Sequence, residues 1–253
     1  TELGAEVIRL GTNPDGRNIN RGCGSEHPER MREVTRQTGA NIGLAFDGDG
    51  DRVVVSDETG ALCDGDVIMA ICGRYMLETG TLAKNTVAAT IMSNMGLEKA
   101  LAERGGGIVR VPVGDRNVCE RMVSDGLKLG GEKSGHLLFL DHHTTGDGLI
   151  AALQLLAIIQ RTGKPLSELA RCFEHFPQTL INVPVVRRSK LEDIPTVQDK
   201  IAAAETKLGD DGRIVVRFSG TQSLARVMVE GRDQTLIDTL AQQVAEAIKE
   251  ALA

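Results

Sequence analysis

Between residues 42 and 140 short apolar runs alternate with stretches of helical period, and that rhythm restricts the chain to an α/β architecture. Ile42 to Phe46 and Val53 to Ser56 read as strands, parted only by Asp47-Gly48-Asp49-Gly50-Asp51-Arg52. Asp66 to Glu78 has helical spacing, carried by Ile68, Ile71, Cys72, Tyr75 and Met76. Thr86 to Thr90 reads as a strand, Leu97 to Glu103 as a helix, Ile108 to Val111 as a strand and Val118 to Ser124 as a helix. A strand at Leu137 to Leu140, a long helix from about Gly146 to Gln160 and a short helix over Leu166 to Cys172 follow. The repetition favours a mainly parallel sheet. The pattern then changes. Leu180 to Val186, Arg213 to Phe218 and Ala225 to Glu230 read as strands, interleaved with helices near Thr196 to Leu208 and Thr235 to Ala251. That sequence of elements predicts a small antiparallel sheet with two helices, a separate α+β domain.

Composition excludes several functions. The 253 residues suggest two domains rather than one, and 41% hydrophobic residues are enough for a core. Aromatic residues make up 2%, with no Trp and one Tyr, which counts against stacking platforms for single-stranded nucleic acid. The formal net charge of -6 disfavours a nucleic-acid or anionic-membrane binder, yet leaves room for one phosphate held by a few arginines. Five cysteines without a C-x-x-C spacing read as reduced, packed thiols of a cytoplasmic protein. No apolar run reaches the roughly 18 residues needed to span a bilayer. No signal-peptide pattern is visible, although the chain opens at Thr1 rather than Met, so a segment upstream stays open.

Three loops carry the chemistry. In the first, Asp47, Asp49 and Asp51 alternate with glycines that let the backbone turn sharply, so the carboxylates can converge on a hard cation such as Mg²⁺ or Ca²⁺. Arg52 follows, and a cation beside a guanidinium suits a phosphoryl oxygen. Asp47, Asp49, Asp51 and Glu58 also fall at ligand positions of an EF-hand loop. Against that reading, Arg52 stands where the motif needs glycine, and the flanks look like strands. An ordinary solvated acidic turn is the bland alternative.

The second loop is Gly130-Gly131-Glu132-Lys133-Ser134-Gly135-His136, a glycine-bounded polar segment before a strand. Glu132 and Ser134 are candidates for sugar hydroxyls. His136 is a candidate acid or base, or a residue that orients a phosphate, against the bland reading of a structural imidazole. The third is Arg217-Phe218-Ser219-Gly220-Thr221, with Arg226 in the next strand; guanidinium, hydroxyl and backbone N–H groups are what a phosphate needs. Ser-Gly-Thr also makes ordinary turns. In Val113-Gly114-Asp115-Arg116, Asp115 reads as a helix N-cap and Arg116 as free to reach a ligand. His142 and His143 read as surface residues, not a metal pair.

Together and in this order the loops resemble the α-D-phosphohexomutase superfamily, and within it the branch that works on glucosamine phosphates. The likeness spans essentially the whole chain but only the latter part of a four-domain protein. Asn13-Pro14-Asp15-Gly16 with Asn18-Ile19-Asn20, Cys23-Gly24-Ser25, Met92 to Glu98, Val113 to Arg116 and Thr144-Thr145-Gly146-Asp147-Gly148 point to that branch. The resemblance implies two α/β phosphohexomutase-type domains with mainly parallel mixed sheets, the first incomplete (1–61) and the second at 62–178. A C-terminal α+β domain with a small antiparallel sheet flanked by helices would occupy 179–253.

It further implies a sugar 6-phosphate to 1-phosphate isomerisation through an enzyme phosphoserine. Asp47, Asp49 and Asp51 would hold Mg²⁺, and Arg52 would touch the transferring phosphoryl group. His136 and Arg116 would assist at the reacting end, with Glu132 and Ser134 on sugar hydroxyls. Arg217, Ser219, Gly220, Thr221 and Arg226 would hold the non-reacting phosphate.

Two departures qualify the likeness. Gln222-Ser223 stands where the family continues with Glu-Pro, and no Ala-Ser-His-Asn-Pro serine motif occurs. The chain alone is therefore expected to be inactive and to bind Mg²⁺ weakly, with an N-terminal phosphoserine domain as its missing partner. A phosphorylated hexosamine is the expected ligand, and a homodimer stays open. The rival readings are a mannose- or glucose-type mutase and a non-catalytic phosphosugar-binding module.

Overall fold

A hairpin presents the acidic loop. In the computed structural model, which describes residues 3–186, 191–219 and 222–252, strand β1 (Ile42–Phe46) pairs antiparallel with β2 (Val53–Asp57) in the register Phe46↔Val53. Residues 47–52 are therefore the hairpin loop. Two strands at its flanks rule out the helix–loop–helix of an EF-hand. The short β3 (Leu62–Cys63) adds to β2, and helix α1 (Glu29–Thr38) precedes the three-stranded sheet. Neither α1 nor β3 is expected from periodicity. Helix α1 buries only Met31 and Thr35, so it has no apolar stripe to read.

A four-stranded sheet of order β5-β4-β6-β7 comes next, formed by β4 (Thr86–Thr90), β5 (Gly107–Val111), β6 (Leu129–Gly131) and β7 (Leu137–Phe139). β4 pairs parallel with β5 and β6, and β7 closes the edge antiparallel to β6. Helices α2 (Gly65–Glu78), α3 (Met95–Ala102), α4 (Asp115–Asp125) and α5 (Gly148–Thr162) intervene or follow, then α6 (Leu166–Leu169) and a 3-10 turn over Ala170–Cys172. The helices bury Ile68, Met69, Leu97, Leu101 and Leu155 against Val87 and Leu129 of the sheet. Cys63 and Cys72 lie in this core as free thiols, and burial pushes both up to about 12, so they are inert.

Two local expectations are corrected. Gly130 and Gly131 are strand, not loop. A Cβ on Gly130 would come within 2.6 Å of Met122 Sδ and 2.8 Å of the Ala88 carbonyl, so the glycine is what allows helix α4 and β4 to approach. The N-cap of α4 is Gly114 rather than Asp115, which is the first helical residue and accepts from the Arg116 N–H.

The chain divides into two compact units, Thr1–Glu174 and His175–Ala253. The second unit has an antiparallel sheet of order β8-β10-β9, from β8 (Gln178–Pro184), β9 (Gly212–Phe218) and β10 (Leu224–Gly231). Its helices are α7 (Pro195–Leu208) and α8 (Gln234–Leu252), which bury Val197, Ala204, Leu240, Val244 and Ile248 with Val227 and Val229. Inside it, Glu230 is fully buried and accepts from Arg213 Nε at 2.7 Å and from Gln178 Nε2 at 3.1 Å. Among the described residues no helix is long and apolar enough to cross a membrane.

Candidate functional site

The hairpin loop is fastened first to itself. Asp47 Oδ1 accepts from the backbone N–H groups of Gly50 at 3.1 Å and Arg52 at 3.2 Å, and Gly50 turns the chain with φ 75°. It is fastened next to the segment 132–136. Arg52 and His136 form an isolated antiparallel bridge, and the Val53 N–H donates to the Gly135 carbonyl at 3.1 Å. His136 is 3% exposed, and its Nδ1 lies 3.0 Å from Asp51 Oδ2. The sequence separates these two residues by 85 positions.

The sugar-loop candidates are tied in from other elements. Glu132 Oε1 accepts from the Gly114 N–H at 2.9 Å, which joins the Val113–Arg116 turn to this loop. Ser134 Oγ donates to Glu132 Oε2 at 3.4 Å. The Gly65 N–H at the start of α2 donates to the Lys133 carbonyl at 3.0 Å, and a Cβ there would stand 2.1 Å from the Glu132 carbonyl. Beside His136 a cleft of about 230 Å³ is lined by Arg116, Cys119, Leu138 and Thr145. Arg116 sits on it with an exposed side chain whose Nε donates to Glu120 Oε1 at 2.6 Å, a surface pair one helical turn apart. His142 and His143 are exposed, in accord with their reading as surface residues. Ile19 reaches the acidic loop, since a Cβ on Gly48 would meet its Cδ1 at 2.4 Å.

The fit of the acidic loop to a cation is partial. Its donors are hard carboxylate oxygens, and Asp51 Oδ1 is buried without a hydrogen-bond partner among the described residues. Among the described residues, however, no three His, Cys, Asp or Glu side chains stand close enough to hold a metal ion. Asp47 Oδ1 is engaged by two amides, Asp51 Oδ2 by His136, and Asp49 is exposed. The loop supplies ligands for a hydrated ion rather than a closed cage.

In the second unit, Arg217 of β9 and Arg226 of β10 are direct cross-strand partners. Like charges placed opposite one another repel. Burial, and then the Arg226 charge, pulls the Arg217 guanidinium below its usual value. The Nε atoms of both arginines are buried and have no partner among the described residues; Arg226 Nη2 reaches Gln222 Oε1 at 3.4 Å. Ser219 is 2% exposed and its Oγ accepts from the Gln222 N–H. Gly220 and Thr221 lie outside the described residues. The arrangement suits an anion that would neutralise the facing charges.

The family model "Phosphoglucomutase/phosphomannomutase, alpha/beta/alpha domain III" matches residues 64–176, and the C-terminal domain model of the same family matches 180–247. The chain belongs to the phosphoglucomutase/phosphomannomutase family. A structure described as a phosphoglucomutase/phosphomannomutase family protein from Burkholderia thailandensis superposes with a TM-score of 0.77 at 25% identity, over 98% of this chain and 56% of that one. The Aspergillus fumigatus N-acetylphosphoglucosamine mutase in complex with GlcNAc-6P and magnesium shares the fold, with a TM-score of 0.73 at 21% identity over 91% of this chain and 57% of the other.

Among curated relatives the chain is 55% identical to the phosphoglucosamine mutase of Anaeromyxobacter sp. (strain Fw109-5), over 99% of this chain and 54% of that protein. It is 53% identical to the phosphoglucosamine mutase of Syntrophotalea carbinolica, over 98% and 54%. The chain thus spans about half the length of the relatives it matches.

Proposed function

We propose that the chain supplies the metal, sugar and phosphate loops of a phosphoglucosamine mutase, which interconverts glucosamine 6-phosphate and glucosamine 1-phosphate. One observation carries the reading: among the described residues Asp51 Oδ1, Arg52 Nε, Arg217 Nε and Arg226 Nε are buried without partners, and all belong to the segments expected to meet cation and phosphate. Most buried polar atoms in folded proteins are hydrogen-bonded, so orphaned ones gathered at such segments are suited to a bound ion. In this reading 1–61 is the end of a metal-loop domain, 62–178 the sugar-recognition domain and 179–253 the phosphate domain.

Asp47, Asp49 and Asp51 would supply ligands to a hydrated Mg²⁺, which would provide charge neutralisation for the phosphoryl group. Arg52 orients that group, and its position is fixed by the bridge to His136. Glu132 and Ser134 grip sugar hydroxyls, Glu132 being held in place by the Gly114 N–H. His136, its Nδ1 against Asp51, is oriented to move a proton at Nε2, with Arg116 nearby on the cleft. Arg217, Ser219, Gly220, Thr221 and Arg226 hold the phosphate that does not react. Positioning and charge neutralisation are most of what phosphoryl transfer asks of a protein. The nucleophilic serine is not among these residues, so the 253-residue chain alone turns over no substrate.

A panel of hexose and hexosamine phosphates, tried on the complete gene product and on this chain, tests the proposal. Glucosamine phosphates are expected to be preferred by the former, and no turnover is expected from the latter. Preference for mannose or glucose phosphates would assign the other branch, and turnover by the isolated chain would refute the missing-serine argument.

A further inference from the structure

The segment Gly146-Asp147-Gly148, just before and at the start of α5, touches both halves of the site at once. The Gly148 N–H donates to the Gly50 carbonyl of the acidic loop at 3.0 Å. A Cβ on Gly148 would stand 2.6 Å from the Arg52 carbonyl and 3.0 Å from Phe46 Cδ1. Two residues earlier, a Cβ on Gly146 would stand 2.3 Å from His136 Nε2 and 2.4 Å from Cε1. Both glycines are buried, and neither is at positive φ. Backbone freedom therefore does not explain them; the close approach does.

Asp147 fixes the segment between them. Its N–H donates to the Leu137 carbonyl at 3.3 Å, and its Oδ1 caps α5 by accepting from the Ile150 N–H at 2.9 Å. The segment is thus anchored to β7 on one side and to a fifteen-residue helix on the other.

We infer that Gly146 and Gly148 are positioning residues that hold the Asp47–Arg52 loop and the His136 ring in register with each other. The inference rests on the proposed metal and proton roles of those groups for its consequence, but its geometry stands without them. Helix α5 becomes the rigid part to which the acidic loop is clamped, so ordering that loop orders the first turn of α5.

Amide hydrogen exchange and NMR on the 253-residue chain test this, with MgCl₂ as the probe. Magnesium is expected to shift the amides of Asp47 to Arg52 and to slow exchange of the Gly148 amide several-fold. The Gly163 amide, bonded to the Ile159 carbonyl at the far end of α5, should not change. A fold-wide stabilisation would slow both. If the loop amides shift while Gly148 exchange stays the same, the inference fails and the metal assignment stands. If no loop amide shifts, the metal assignment fails, and substitution decides the inference. Gly148→Ala and Gly146→Ala are expected to displace the resonances of Gly50 to Arg52 and of the His136 ring, respectively. Gly107→Ala, with open space at its Cβ, should leave both in place. Perturbations confined to residues 144–150 would overturn the inference, as would wild-type-like spectra.

Discussion

The acidic-loop site and the arginine pair solve opposite problems. In the first unit most candidate side chains are already held by a neighbour at one atom: Asp51 Oδ2 by His136, Glu132 by the Gly114 amide, Asp47 by two amides of its own loop, with Asp51 Oδ1 and Arg52 Nε left over among the described residues. In the second, strand register alone puts Arg217 opposite Arg226, and among the described residues neither buried Nε atom has a partner. One site is largely pre-organised by backbone contacts, so a ligand meets donors and acceptors most of which are already ordered. The other is electrostatically frustrated until an anion arrives. The lesson is that the first site should be sensitive to changes in shape and the second to changes in charge.

The hardest test of the shape argument is Gly135→Ala. Gly135 has φ 94°, and a Cβ would stand 2.2 Å from the Val53 carbonyl, a backbone atom that cannot swing aside. A strained φ and a forced separation of hairpin and loop should together destabilise the chain by about 3 kcal/mol or more in denaturant unfolding. A loss under about 1 kcal/mol would show that the docking is loose.

An effect of comparable size, and one that depends on pH, concerns Asp66 beside the same loop. It is fully buried in the first turn of α2 and accepts from the Asn94 N–H at 2.8 Å. Burial, reinforced by the charge of Asp64, raises its carboxyl from 3.8 to about 7. The folded chain keeps that proton through a range in which the unfolded chain has released it. Stability therefore falls as pH rises from about 4 to about 7, by at most about 1.4 kcal/mol per pH unit, and levels off above. Asp66→Asn should flatten that slope and make the chain more stable than wild type at pH 8; an unchanged slope in urea midpoints would assign the proton elsewhere.

Smaller than both is the cap of α2. Asp64 Oδ1 accepts from the Asp66 and Val67 N–H groups, and Asp64→Ala should cost about 1 kcal/mol. Smallest is the charge test. Replacing Arg217 with Met removes one of two facing cations and should leave the chain unchanged or stabilise it by a few tenths of a kcal/mol in phosphate-free buffer. A clear destabilisation would mean that the pair already has a counter-charge.

The elements were largely legible because apolar period and length agree at β1, β4, α2 and α5. What escaped did so for local reasons. Helix α1 is polar all round but for two residues, β3 has two residues, and β6 carries two glycines that read as loop. The site was legible as residue types but not as contacts. Nothing in the sequence near Asp51 announces His136, and no local pattern tells that Gly65, Gly146 and Gly148 are glycines because other backbones or rings pass within van der Waals reach. Arg217 and Arg226 were readable as candidates for a phosphate; that they face each other follows only from the β9–β10 register.

Calorimetry of glucosamine 6-phosphate with the wild-type chain and with the Arg217→Met, Arg226→Met double variant tests the central claim most directly. The account predicts measurable binding by wild type and at least a tenfold loss, about 1.4 kcal/mol, in the double variant. Equal affinity in the two proteins would contradict it, as would an absence of binding by a folded wild-type chain.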